Sequence, residues 1–418
     1  MISVFLKYSM AVYVVTLCAV SNASGDVEGK NKSVACAGCH GENGISLSGE
    51  FPNLAGQKKT YLSKQLKDFK RGTRKDPTMF AMASMLNDSD IELIAAYFSN
   101  LPRKKEVSIK SNTVNSVPTT DSANSTEFPE TTYISMKKSG TVETFPKQVT
   151  WKGGDNMLYN AVTPDGRKVL ATSPSSNSVY VFDAENGRQL CVIKVGKAPK
   201  GVKVSPDGAV AYVSNQGSAN ISVIDLEKLK VIDTIKVGEG PHNARFTKDG
   251  SLAYVTLQGG AGIGVVDTKS RTQIKIISVP GITGPHNIDL SYDEKTAYVR
   301  DFVHHVAVLD LKTGKVKKVI TVGNGHGGID VTPDGKYAAT AAIGDHFISI
   351  INTNTLEVKN INVGLGPHGI RASKNSHWLY VTLTKENAVV VVNLKTLKVA
   401  KKISVGQFPF WVAVKGNP

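Results

Sequence analysis

Gly201-Val202-Lys203-Val204-Ser205-Pro206-Asp207-Gly208-Ala209-Val210-Ala211-Tyr212-Val213-Ser214-Asn215 sets the reading of most of this chain. Two short runs rich in Val, Ala and Tyr flank a Ser-Pro-Asp-Gly turn, which is the pattern of adjacent strands. Ile221-Ser222-Val223-Ile224-Asp225 continues as a third strand, and the alternating stretch Val231 to Val237 as a fourth. The turn recurs at Asp165-Gly166, Asp249-Gly250 and Asp334-Gly335, with Asp293-Glu294 in the same role. Counting Asp207-Gly208, the successive spacings are 42, 42, 44 and 41. A period near 42 with four strands per unit predicts propeller blades, whereas a helical solenoid would show a 3.6-residue periodicity.

Six full units begin near Leu158, Lys200, His242, His286, Gly327 and His368. A seventh innermost strand, Phe410 to Lys415, comes at the end of the sequence, and its partners are expected between Thr131 and Val149. The ring would then close with early and late residues of this region in one blade, seven blades in all. The units resemble the YVTN family of β-propeller repeats, most clearly in Tyr212-Val213-Ser214-Asn215, Tyr254-Val255-Thr256-Leu257 and Tyr380-Val381-Thr382-Leu383.

Eight of the nine histidines fall in this region. His242, His286 and His368 share the entry to the innermost strand, His326 stands one position earlier in its unit, and Lys200 holds the shared position in another. These side chains converge on one channel mouth if the ring closes. One reading is a metal or second-cofactor site, since imidazole suits copper, zinc and iron. The plainer reading, which we favour, is that Gly-Pro-His is how this repeat turns into its first strand; the resemblance supports it, because YVTN repeats carry that tripeptide without a metal.

Upstream of the repeats, residues 105–130 are rich in Ser, Thr and Asn and lack aromatic side chains apart from Phe128, the pattern of a flexible tether. Before it stands Cys36-Ala37-Gly38-Cys39-His40. C-x-x-C-H is a c-type haem attachment site: two thiols spaced to add to the haem vinyl groups, then an imidazole for the iron. A structural zinc site needs a second ligand pair that does not follow; a Cys36–Cys39 disulfide leaves His40 unexplained. A helical pattern runs from Tyr61 to Arg71. The segment Arg74 to Met85 reads as a loop carrying Met79, Met82 and Met85, and a last helix starts at an Asn87 N-cap. A methionine thioether is a suitable sixth ligand for such an iron.

Cys36 to Leu101 resembles the small class I bacterial cytochromes c. The matching stretches are Cys-Ala-Gly-Cys-His-Gly, Phe51-Pro52-Asn53-Leu54-Ala55-Gly56-Gln57, Tyr61-Leu62 with Lys64-Gln65-Leu66, and Met79-x-x-Met82. The resemblance implies one covalent haem c on Cys36 and Cys39, with His40 and Met79 as axial ligands. It also implies that the Pro52 carbonyl receives the ring N–H of His40.

The expected fold is therefore multidomain: a small all-α class I cytochrome c domain, then an all-β propeller of seven blades. Residues 1–23 read as a signal peptide, with Lys7 its one charge, an apolar stretch from Tyr8 to Val20 and small residues before a cleavage site at Ala23. That stretch is shorter than the roughly 20 residues of a membrane span. The cytochrome domain takes 24–104, the linker 105–130 and the propeller 131–418. Export to the periplasm agrees with c-type attachment, and four cysteines do not make a disulfide scaffold.

Net charge is +15, which favours encounter with an acidic redox partner protein. Nucleic acid is not expected, since the lysines are scattered and the chain is exported. The function expected is an exported electron-transfer cytochrome with the propeller as docking or binding module. The alternative is a periplasmic redox enzyme whose propeller holds a second haem or copper. A cytochrome c joined to a propeller is also the plan of the nitrite reductases that bind a d-type haem.

Overall fold

The computed structural model describes residues 27–33, 36–37, 40–41, 43–46, 51–102, 130–260 and 262–417. The signal peptide, Cys18, Cys39 and the linker over 105–129 lie outside the described residues. The chain divides into two compact units, residues 1–110 and 111–418.

The first unit is helical: residues 27–33, then helices Lys59–Lys70, Pro77–Ser84 and Asp88–Asn100. The last begins at a reciprocal cap. The Asn87 side chain accepts from Asp90 N at 2.8 Å, and the Asp90 carboxylate accepts from Asn87 N at 3.1 Å. Its face Ile91, Ile94, Ala95 and Phe98 is buried, as the sequence period predicts. Leu62, Ile94, Ala95 and Phe98 form the core, with Cys36 and Leu54 packed against it. Each such large apolar side chain contributes about 1.5–3 kcal/mol by leaving water.

One expectation is corrected here. The methionine segment is not a loop from end to end: Pro77–Ser84 is a helix. Asp76 caps it, accepting from Met79 N at 2.8 Å, and Pro77 occupies the first turn. Asp-Pro is a helix-start signature, since proline gives up only an N–H that the first turn leaves unpaired anyway.

The second unit consists of seven four-stranded antiparallel sheets. Six are sequential, from blade 1 (Asn160–Val162 to Gln189–Lys194) through blades starting at Pro199, Pro241, Pro285 and Ile329 to blade 6 (Pro367–Ala372 to Lys398–Ser404). Blade 7 joins Pro409–Val414 to Thr132–Met136, Thr141–Phe145 and Thr150–Lys152. Its closing pair runs Thr132 opposite Val414 to Ile134 opposite Val412. The outermost strand lies just past Val149, slightly later than the sequence suggested.

The recurrent turns share one device. A Ser or Thr hydroxyl donates to an Asp two residues on, as in Ser205 to Asp207 at 2.6 Å, and Gly208 follows at φ +73°. Thr163 with Asp165, Thr247 with Asp249, Ser291 with Asp293 and Thr332 with Asp334 repeat it. The sequence reading passed over a sixth copy, in which Ser373 bonds Asn375 and Ser376 takes the left-handed position at φ +58°. Asparagine and serine there hide it from a search for Asp-Gly.

Candidate haem site and propeller channel

In the helical unit, His40 is 5% exposed, and its Nδ1 lies 2.8 Å from the Pro52 carbonyl oxygen. The carbonyl accepts, so Nδ1 carries the proton and Nε2 is the nitrogen left for a metal. Phe51 stands edge-on to the ring with centroids 6.2 Å apart. Burial holds the His40 pKa below its ordinary value against the opposing Pro52 bond, keeping the imidazole neutral as a ligand must be.

Cys36 is partly buried at the edge of the core and is in no disulfide among the described residues. Met79 and Met82 are half-buried, three residues apart and so on one side of their helix. Met85 is the cap residue at its end. A partly buried cysteine, a buried imidazole with one engaged nitrogen and half-buried thioethers form a donor set that fits a covalent haem c.

In the propeller, the structure brings four of the five sequence-singled residues together. His286, His326 and His368, from blades 4, 5 and 6, each place a ring nitrogen within 4.8 Å of the others. The His242 ring lies tilted against His286 with centroids 3.8 Å apart, while its Nδ1 bonds the His286 carbonyl at 2.9 Å and its Nε2 lies 3.5 Å from Tyr159 Oη. His368 Nδ1 bonds the Phe410 carbonyl at 2.8 Å. Neither nitrogen of His286, nor Nε2 of His368, has a hydrogen-bond partner among the described residues. Lys200 is outside the triad; after burial, its charge is what most lowers the pKa of His242. Burial likewise lowers His286, His326 and His368, the last to about 4.

A second layer, which the sequence reading missed, lies three residues further along each innermost strand: Lys203, Arg245, Asp289, Asp330 and Arg371. Arg245 pairs with Asp289 at 2.7 Å and Arg371 with Asp330, all four reaching across blades. Lys203 Nζ is buried without a partner among the described residues. The signal was a fixed +3 offset from Lys200, His242, His286, Gly327 and His368. Period two sends residues three apart to opposite faces. A register shift near the start of the strand, between Pro241 and Ala244 in blade 3, turns both layers toward the next blade. A cleft of about 320 Å³ opens beside this layer, lined by Lys203, Arg245, Lys248, Tyr292 and Asn417 among others.

Comparison with known proteins follows the same division. The family model for cytochrome c matches residues 27–102, and that for a YNCE-like beta-propeller matches residues 128–288. Cytochrome c4 of Stutzerimonas stutzeri is 44% identical over 91 residues, covering 19% of this chain and 43% of that protein. The chain thus spans less than half of that relative's length. Cytochrome c-554(548) of Halomonas halodenitrificans is 43% identical over 75 residues, 17% of this chain and 90% of that protein. Among solved structures, dihydro-heme d1 dehydrogenase NirN in complex with DHE has a similar fold. It superposes with a TM-score of 0.54 at 16% identity, over 91% of this chain and 97% of that one. The chain belongs to the cytochrome c family, with a covalent haem c in its helical domain and a seven-bladed propeller after it.

Proposed function

We propose that the chain carries single electrons through one haem c attached at Cys36 and Cys39, with the iron held by His40 and Met79. The carrying observation is the buried His40 with Nδ1 on the Pro52 carbonyl, which orients Nε2 as the ligand atom. When bound, the haem supplies a one-electron ferric–ferrous couple. The protein's part would be to fix the tautomer through Pro52, to provide an apolar core that includes Leu54, Leu62 and Phe98, and to offer a thioether that favours the ferrous state.

On this reading the domain limits are 24–104 and 131–418, with 105–130 a tether that lets the haem unit reach partners. The protein works in the periplasm after cleavage at Ala23, and no described helix is long and apolar enough to cross a membrane. The +15 charge supports an acidic redox partner, so transfer should slow as salt is raised. The test is maturation with c-type attachment, followed by acid–acetone extraction and a redox titration. One non-extractable haem with a single one-electron wave is expected. Haem that extracts freely would refute it.

The converging channel histidines favour a second reading, a redox enzyme with a further cofactor in the propeller. The similarity of fold to dihydro-heme d1 dehydrogenase NirN over 91% of the chain supports that plan, and fold alone assigns no activity.

A further inference from the structure

A histidine that merely shapes the entry to a strand needs one bond, from Nδ1 to a neighbouring carbonyl. His242 meets that description fully, because its Nε2 also has Tyr159 within reach. His286 does not. It is 1% exposed, yet neither ring nitrogen finds a partner among the described residues. His368 is fully buried, with Nε2 equally without one. Leaving a buried polar atom unpaired costs about 1–3 kcal/mol, and here the loss falls on two residues that each place a ring nitrogen within 4.8 Å of the other's. His326 completes the set, and its ring is fixed by stacking on Phe302 at 4.6 Å and 13°. Three blades thus supply three imidazoles with nitrogens within 4.8 Å, close enough for side-chain torsions to bring them onto one ion.

We propose that His286, His326 and His368 hold one copper ion in the propeller channel, at rest as copper(I). This goes beyond the haem reading and does not rest on it. Imidazole suits copper and zinc, and among divalent first-row ions copper(II) stands highest in affinity. The surroundings choose between them. No carboxylate belongs to the cluster among the described residues. Lys200 bears on His242, and Arg300 and Lys137 bear on the triad. Asp301, beside Arg300 in the chain, is taken by Arg300 at 2.8 Å and His305 at 3.0 Å. A monovalent ion meets about half the repulsion of a divalent one there. Phe302 packs against His286, and Phe410 and Trp411 against His368, so these neighbours are aromatic rings and not the oxygen ligands that a divalent ion would recruit.

The test is competition for copper(I) between the full, haem-loaded chain and bicinchoninate, with X-ray absorption at the copper edge on the loaded wild type. One equivalent per chain with imidazole back-scattering is expected. His286→Ala and His368→Ala should each weaken binding by more than the roughly 10–100-fold that loss of an outer partner of a metal ligand costs. His377→Ala, on an exposed turn, should bind as wild type. Wild type taking no copper from the competitor would overturn the proposal. So would sulfur or oxygen back-scattering alone, equal loss in His377→Ala, or displacement of the copper by an equal concentration of zinc. The absorption measurement decides the case even if a variant fails to fold.

Discussion

His40 Nδ1 and the carbonyl oxygen of Pro52 meet at 2.8 Å across twelve residues of chain. That bond joins the helical attachment segment to the irregular stretch 51–57. Gly44 makes the return between them possible, at φ +66°, where a Cβ would meet Ala55 N at 2.8 Å and Phe98 Cδ1 at 2.9 Å. One backbone acceptor therefore sets the tautomer, and with it the nitrogen offered to the iron. A sixth ligand is proposed from the methionine helix, Pro77–Ser84.

Met79 is expected to be that ligand. Its N–H is held by Asp76 at 2.8 Å, so its position at the start of the helix is fixed. Met79→Ala should abolish the weak sulfur–iron band at the red edge of the oxidised spectrum and lower the midpoint potential. Met82→Ala, one turn on, should keep both. If Met82→Ala alone removes the band, the assignment moves to Met82.

Closure of the ring depends on Thr132–Met136 pairing with Pro409–Val414. Ile134, Met136, Val412 and Val414 share one buried cluster with Tyr380 and Val391 from blade 6. A fragment of residues 127–418 should fold as a β-rich protein without haem. One starting at residue 153 should aggregate, since it leaves the last strand with an exposed edge. Ile134→Ala in the full chain should cost about 2–5 kcal/mol in denaturant unfolding. Equal solubility of the two fragments would show that closure is not needed.

Much of this was legible in the residues. Turn spacing marked the blades, and the surplus strand Phe410 to Lys415 required partners before Leu158. The helix Pro77–Ser84 was misread because three methionines drew the eye to ligation, while Asp76-Pro77 carried the start signal. Convergence of His286, His326 and His368 was readable as shared position. That His326, one residue out of register, joins the triad while His242 is satisfied elsewhere was not, because it depends on how Gly327 and Gly328 let the blade 5 backbone approach. Gly328 lies where a Cβ would meet Ile370 Cγ2 at 2.9 Å and Trp411 at 3.0 Å. The charged layer was hidden by the register shifts, which no period-two reading anticipates.

The turn aspartates make the propeller sensitive to acid. Hydroxyl donors Thr163, Ser205, Thr247 and Ser291 hold Asp165, Asp207, Asp249 and Asp293 below the ordinary carboxylate range. The unfolded chain, with carboxyl pKa values near about 4, then binds more protons than the folded one as pH falls. Their contribution is complete above about pH 4 and is lost below it, through the lower folded values. Unfolding midpoints should be flat down to that pH and then fall. Asp207→Asn should be less stable at neutral pH and show a shallower acid limb. An unchanged limb would remove the turns from the account.

The charged channel layer makes a prediction of both signs. Asp330 accepts from Arg371 Nη1 and from Ala372 N at 2.7 Å, all of it buried. Asp330→Asn strips the counter-charge from Arg371 and should destabilise the propeller by about 3–5 kcal/mol. Lys203 is the opposite case. Burial first, then repulsion from Arg371 and Arg245, pushes its pKa well below 10.5, and Asp289 and Asp330 only partly offset this. Between that folded value and 10.5 the unfolded chain holds one proton more than the folded chain. Wild-type stability should therefore gain from this group as pH rises through that window. Lys203→Met should be neutral or stabilising at pH 7, because a buried unpaired amine gives way to a side chain of similar volume that needs no partner. It should also remove the alkaline gain. Urea unfolding of the two proteins at pH 7 and pH 10 measures both effects. A Lys203→Met variant markedly less stable at pH 7, with the pH slope unchanged, would mean that Lys203 is paired in the channel and that the layer is balanced in charge.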